Sequence, residues 1–370
     1  MKISLITLHC VNNYGSVLQT YATQKVLSDM GHTVEIIDFY RPDLTLIHKL
    51  FSCYLYEQHN FKGLLKNIIF LPSNIAMQKM FSSFRKKYFK LTAQKYYKES
   101  DFDKYPLNAD AYIVGSDQVW NSVLNHGLIR PYYLSFAPKG KKKIAYSSSF
   151  GVDKLKEEEK DYNKELLSSF DYITTRELSG ISIVKNLGIN NVSQILDPTL
   201  LLSKEKWLKI SETCKEKDQY ILVYQLHHHE GLDTYISELA QKYKLKVIRV
   251  CYRYDEIRKF GHCIFLPRVE QLLNYIAHAN YVITDSFHVT AFSVNLNTQF
   301  ESIVPAKQFG GRISSLLTLV NLQNRAIYDY NHCQYENKID FNPVNDILEK
   351  KRKEDISLVK QKLSYENSTI

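Results

Sequence analysis

Tyr281-Val282-Ile283-Thr284-Asp285-Ser286-Phe287-His288 is the stretch on which the reading of this chain turns. A short buried strand that runs at once into polar side chains is where an open α/β sheet places its ligands. Val289–Asn295 continue as the first turns of a helix, so His288 is expected at a positive helix end, in a crevice, facing an anion. A second junction of this kind, Asn12-Asn13-Tyr14-Gly15-Ser16, follows the apolar run Ile3–Leu8. Two such junctions predict two similar halves facing each other across a cleft.

Working outward, 370 residues exceed one ordinary core, so two domains of comparable size are expected. Apolar residues make up 44% and charged residues 24%, which are globular proportions. No run of 18 apolar residues is present, so no membrane span is expected. Met1–Ile6 reads as a short strand rather than a signal peptide, because Asn12 and Asn13 interrupt it early. The six cysteines (Cys10, Cys53, Cys214, Cys251, Cys263, Cys333) show no CxxC spacing, which suits reduced thiols in the cytoplasm. The net charge of +9 suits an anionic partner. No nucleic-acid-binding pattern accompanies it.

The order of elements is α/β throughout. Ile3–Leu8, a helix opened by Ser16-Val17-Leu18-Gln19 as a capping box and closed at Gly31, and Val34–Asp38 form a βαβ opening. Residues 41–105 read as a helical insertion, mixing aromatics such as Phe51, Tyr54, Tyr56, Phe61, Phe81 and Phe84 with the basic cluster Arg85, Lys86, Lys87 and Lys90. Basic residues interleaved with aromatics suit a solvated helical face or a membrane interface. Strands are expected at Ala111–Val114, Lys143–Tyr146, Asp171–Thr175 and Val192–Leu196, several of them ending on small or charged residues. A second half follows with strands at Tyr220–Gln225, Lys246–Val250 and Tyr281–Thr284. Helices are expected at Leu232–Tyr243, Val269–Ala279 and Ile313–Val320, the last preceded by Gly310-Gly311-Arg312. Residues 1–199 and 200–343 are thus taken as two Rossmann-like domains. Residues 344–370 are taken as a final helix crossing back to the first.

Taken in order, Asn13-Tyr14-Gly15-Ser16, Gly115-Ser116-Asp117-Gln118-Val119-Trp120-Asn121, Ser148-Ser149-Phe150-Gly151, Arg176-Glu177, Leu196-Asp197-Pro198-Thr199-Leu200 and Asp285-Ser286-Phe287-His288 resemble the polysaccharide pyruvyl transferase family. The likeness covers roughly residues 2 to 320. It implies a GT-B-like pair of domains. It also implies transfer of the enolpyruvyl unit of phosphoenolpyruvate onto two sugar hydroxyls as a cyclic ketal. Characterised members carry an arginine–any–histidine motif where this chain has Ser286-Phe287-His288; the histidine is kept and the arginine is serine.

That chemistry assigns expected roles. Arg176, at a strand end, suits a bidentate anion clamp for the donor, and Arg312 suits a replacement for the arginine absent at Ser286. Ser286 and Asp285 are expected beside the donor, with Asp285 orienting His288 or capping the helix. His288 is the candidate general acid and Asp117 the candidate base for the sugar hydroxyl. Asn13, Tyr14, Gly15, Ser16, Gly115, Ser116, Gln118, Ser148 and Ser149 are candidates for contacts to the acceptor or a phosphate. Asn12–Ser16 lacks P-loop or dinucleotide spacing, so no nucleotide cofactor is expected. His227-His228-His229-Glu230 looks metal-like. Read as a strand, its neighbours point to opposite faces, so no metal site is expected. The expected partners are phosphoenolpyruvate and a lipid-linked or nucleotide-linked sugar, with a peripheral contact at the cytoplasmic membrane face. A GT-B-type glycosyltransferase using a nucleotide sugar is the alternative on the same scaffold.

Overall fold

The computed structural model describes residues 1–364 apart from 52–54, 56–59, 214–215, 217, 305–310 and 331–332. Cys53, Tyr54, Tyr56, Cys214 and Gly310 therefore lie outside the described residues. The apolar runs become two parallel sheets. The first holds β1 (Lys2–Ile6), β2 (Thr33–Phe39), β3 (Leu91–Tyr96), β4 (Ala111–Val114), β5 (Lys142–Ser148), β6 (Tyr172–Thr175) and β7 (Val192–Gln194). Their spatial order is β3-β2-β1-β4-β5-β6-β7. The second holds β8 (Tyr220–Tyr224), β9 (Lys246–Cys251), β10 (His262–Phe265), β11 (Tyr281–Thr284), β12 (Phe300–Ile303) and β13 (Ala326–Ile327), in the order β10-β9-β8-β11-β12-β13. Both are doubly wound orders. The direction of winding reverses between β1 and β4 and again between β8 and β11, and such reversals open a crevice at the carboxyl ends of the strands. The two junctions singled out in the sequence follow β1 and β11.

Strands buried on both faces explain the continuous apolar runs: every residue of β4, β8 and β11 is buried. One hydrophobic cluster runs through both halves, from Ile3, Leu5 and Val17 to Leu222, Val282 and Phe292. Trp207, fully buried, ties them further; its ring centroid lies 4.9 Å from that of Phe292 and 5.6 Å from that of Tyr21. The long helix Phe341–Leu363 returns to the first sheet, where Asp355 accepts a 2.7 Å hydrogen bond from the Leu196 amide and Lys142 donates to the Lys362 carbonyl at 2.9 Å.

Three expectations are corrected. Helix α1 (Tyr14–Asp29) begins two residues before Ser16, because Asn13 is its N-cap and accepts from the Ser16 amide. Residues 41–105 are not purely helical: they hold α2 (Leu46–Leu50) and α3 (Phe61–Tyr88), then β3, which pairs in parallel with β2. As an edge strand with three consecutive exposed residues, β3 carries no apolar signal. Residues 227–230 lie in the loop after β8, not on a strand. No helix among the described residues is long and apolar enough to cross a membrane.

Candidate active site

A cavity of about 400 Å³ opens between the sheets at their carboxyl ends. Its first wall carries Asn13, Ser16, Arg41, Asp117, Gln118 and Asn125. Its second carries His227, Asp285, Ser286, Phe287, His288 and Arg312.

The first wall is organised under its surface by Arg176. This guanidinium is buried and sits among three carboxylates: Asp197 at 2.9 Å, Asp117 at 3.4 Å and Glu177 at 3.5 Å. Burial opposes its charge, but the three acids raise its pKa further. Arg176 does not line the cavity. Its charge is already committed, which corrects the expected role as an anion clamp. Burial also works against ionised Asp117, yet Arg176, His288 and a 2.6 Å hydrogen bond from the Ser16 hydroxyl hold its pKa down to about 2. Asp117 has φ +78°, a left-handed conformation uncommon outside glycine and tolerated by Asp. Because Asn13 caps α1, the Ser16 hydroxyl is free to make that bond.

Several expected contact residues serve the scaffold instead. Gly15 lies beneath the imidazole of His288; a Cβ there would stand 2.1 Å from Nδ1, so only glycine lets this ring pack across the cleft. The Tyr14 hydroxyl donates to the Pro267 carbonyl, joining the halves. The Ser116 hydroxyl donates to Asp197 at 2.9 Å and that of Ser148 to the Gly115 carbonyl at 2.9 Å, while Ser149 accepts from the Gly151 amide. Gly115 packs on Thr7. None of these six lines the cavity.

The second wall begins at Ser286, which caps the helix Phe287–Leu296 by accepting from the Val289 amide at 3.4 Å. His288 occupies the first turn. Its Nε2 has no hydrogen-bond partner among the described residues and faces Asp197 at 4.0 Å. Burial, more than its neighbours, pulls its pKa down to about 4, so the free imidazole is neutral at pH 7. Asp285 neither orients His288 nor caps the helix. Its carboxylate accepts from the amides of Leu226 and His227 and from the rings of His227 and His229, each ring at 3.0 Å. It therefore pins the loop after β8. His227, His229 and Asp285 also present ligand atoms within 4.8 Å of one another, a set that could hold a divalent cation. The strand argument against such a site does not apply to a loop. Arg312, at the start of the helix Gly311–Leu319, has no carboxylate within 4.0 Å among the described residues, and burial with the nearby Arg176 lowers its pKa to about 10. Both guanidiniums lie near the Phe287 ring, 4.7 Å for Arg176 and 6.0 Å for Arg312.

Sequence reasoning placed Asn13, Ser16, Asp117, Gln118, Asp285, Ser286, His288 and Arg312 on this cavity, and the fold brings them together. It gave no site role to Arg41, Asn125, Glu177, Asp197 or Phe287, and took His227 for part of a strand. Arg41, Asp197 and His227 each follow the carboxyl end of a strand, the signal that could have marked them.

No curated protein sequence matches the chain. UDP-GlcNAc 2-epimerase from Neisseria meningitidis shares 10% identity with a TM-score of 0.51, covering 98% of this chain and 99% of that one. The S. aureus MnaA–UDP structure shares 8% with a TM-score of 0.51, covering 94% and 87%. At these identities the likeness concerns the fold: two Rossmann-like domains across a cleft, GT-B-like in arrangement. Residues 13–303 match the sequence profile of the polysaccharide pyruvyl transferases, from the N-cap of α1 to the end of β12. The chain belongs to the polysaccharide pyruvyl transferase family.

Proposed function

We propose that this protein transfers the enolpyruvyl group of phosphoenolpyruvate onto two hydroxyls of a sugar in surface polysaccharide synthesis. One observation carries the reading: Arg312, with no carboxylate within 4.0 Å among the described residues, and the neutral imidazole of His288 share one wall of a cavity whose opposite wall presents an ionised carboxylate, Asp117. The donor is a polyanion, and a guanidinium matches its carboxylate or phosphate geometry. Arg312 thus supplies the cation that Ser286 does not.

In this reading the donor phosphate, bound near Arg312, raises the pKa of His288 and lets it take up a proton. That proton passes from the imidazole to the vinyl CH2 carbon, which becomes a methyl group, and an oxocarbenium-like centre forms at the adjacent carbon. One sugar hydroxyl attacks there and the second closes the ring as the carbon–phosphate oxygen bond breaks. Of the two hydroxyl protons released, one replaces the proton His288 gave and one leaves with phosphate. Asp117 is too weak a base to remove a proton from a free alcohol. It accepts a hydrogen bond from the hydroxyl and takes its proton once attack has made that oxygen acidic.

In this reading the acceptor sits at a membrane. Among the described residues, nine of the 18 large exposed hydrophobic residues fall between Leu46 and Ile75, among them Ile47 at 67%, Phe61 at 78% and Ile69 at 59% exposure. Helix α3 has six basic and no acidic residues. An exposed apolar face with one-signed charge suits an anionic lipid surface.

The test is phosphate release from phosphoenolpyruvate with lipid-linked and nucleotide-linked sugar acceptors, read together with the acceptor's mass. Acceptor-dependent release with a pyruvate ketal on the sugar is expected. Turnover of a nucleotide-sugar donor, with no binding of phosphoenolpyruvate, would replace this reading by the glycosyltransferase one.

A further inference from the structure

A second cavity, of about 410 Å³, lies beside the first between α3 and the β2–β3 edge of the sheet. Leu44 lines both cavities. Four cations face this second space: Lys49 from α2, Arg85 and Lys86 from α3, and Lys95 from β3. None of the four has a carboxylate partner within 4.0 Å among the described residues. Arg85 is buried and donates to the Asn12 side chain at 3.3 Å, while Lys49 donates to the Cys10 carbonyl. The nearby acids are already taken. Asp38 is bound to His9 at 2.9 Å, and Asp43 is gripped by Arg41. Burial pulls Lys49 down to about 8 and lowers Arg85 as well, and Asp38, which also lines this space, offsets only part of that burial.

Aromatic rings complete the space. Tyr40 and Tyr97 stack with centroids 5.7 Å apart, and the ammonium groups of Lys49 and Lys95 lie 5.8 and 5.7 Å from the Tyr40 ring. One end of the cavity is formed by Leu46, which is 55% exposed and begins the apolar face of α2. The other end reaches the cleft at Leu44.

We infer that this cavity holds the diphosphate of a lipid-linked sugar acceptor, with the lipid leaving over α2 and α3 and the sugar passing Leu44 into the cleft. The inference rests on the reading of the cleft as a pyruvyl transfer site. A buried cation without a counter-ion is costly, and a diphosphate satisfies Lys49 and Arg85 at once. The tyrosines offer stacking faces to the first sugar ring. Three neighbouring features thereby match the three parts of one amphiphile.

Calorimetric titration with farnesyl diphosphate, farnesol, UDP-N-acetylglucosamine and phosphoenolpyruvate tests it on wild type and on Lys49→Gln/Arg85→Gln. Farnesyl diphosphate should bind the wild type far more tightly than farnesol does, and the double variant should weaken it roughly tenfold to hundredfold. Phosphoenolpyruvate binding should be the same in both. Should the melting curve show that the double variant does not fold, Lys86→Gln/Lys95→Gln, whose side chains are exposed, provides the same comparison. Undiminished farnesyl diphosphate binding in a folded variant would overturn the site. Tighter, Lys49- and Arg85-dependent binding of UDP-N-acetylglucosamine would overturn the lipid source. Loss of phosphoenolpyruvate binding in the wild type itself would instead refute the donor reading.

Discussion

On the first wall of the cleft one buried guanidinium, Arg176, is shared by three carboxylates. On the second wall one carboxylate, Asp285, is shared by two imidazoles, while the guanidinium of Arg312 has no acid within 4.0 Å among the described residues. The first wall thus has surplus negative charge, and the second carries a guanidinium not committed to a carboxylate within 4.0 Å among the described residues. Coulombic attraction in a partly dry cleft should draw an anionic donor to the second wall and hydroxyl donors to the first. Sequence shows an arginine at each site. Only the neighbours reveal that one is a keystone and the other a receptor.

Removing the keystone should have the largest effect. Arg176→Met strands three buried acids, and urea denaturation should show a loss on the order of 3–5 kcal/mol. An unchanged midpoint would mean that the acids do not depend on Arg176. On the second wall, His288→Gln should lower the phosphate-release rate by about 10² to 10⁴ while leaving a folded protein; retention of the rate within about tenfold would remove His288 as proton donor. Arg312→Gln should raise KM for phosphoenolpyruvate by roughly tenfold to hundredfold. If kcat falls and KM stays, the free cation serves the transition state rather than the bound donor.

A further effect is one of pH. His288 has a folded pKa of about 4 against an ordinary 6.5, so the unfolded chain binds more protons between those values. Stability therefore drops as pH falls from 6.5 toward 4, by at most about 1.4 kcal/mol per unit from this group. His288→Gln should flatten that segment in urea titrations. Asp117, held near 2 against 3.8, acts only at lower pH and should leave a separate loss below 3.8.

The fold was largely legible because strands buried on both faces are written as uninterrupted apolar runs ending in polar turns. β4, β8 and β11 are such runs, and Tyr281–Thr284 falls on the strand without a residue's error. Strands β3, β10, β12 and β13 were not anticipated: β3 and β10 are edge strands without a fully buried face, β13 is two residues long, and the buried Glu301 interrupts the apolar run of β12. In the site, residues after β1, β4 and β11 were found, while Arg41, Asp197 and His227, which follow β2, β7 and β8, were not. The difference between contact and support was not: Gly15, Ser116 and Arg176 sit beside the cavity and hold up those that line it.

The sequence by itself determined the two parallel sheets, the position of their crevices and the family to which the chain is similar. These depend on burial patterns and turn chemistry that act within a few residues. Tertiary structure decided which charges are committed and which are free, because that depends on partners 21 to 101 positions away: Arg176 on Asp197, and Ser16 on Asp117. It also decided that His227 and His229 turn together toward Asp285, and that Lys49 and Arg85 meet around one empty space, since loop geometry and buried charge are set by packing rather than by local order.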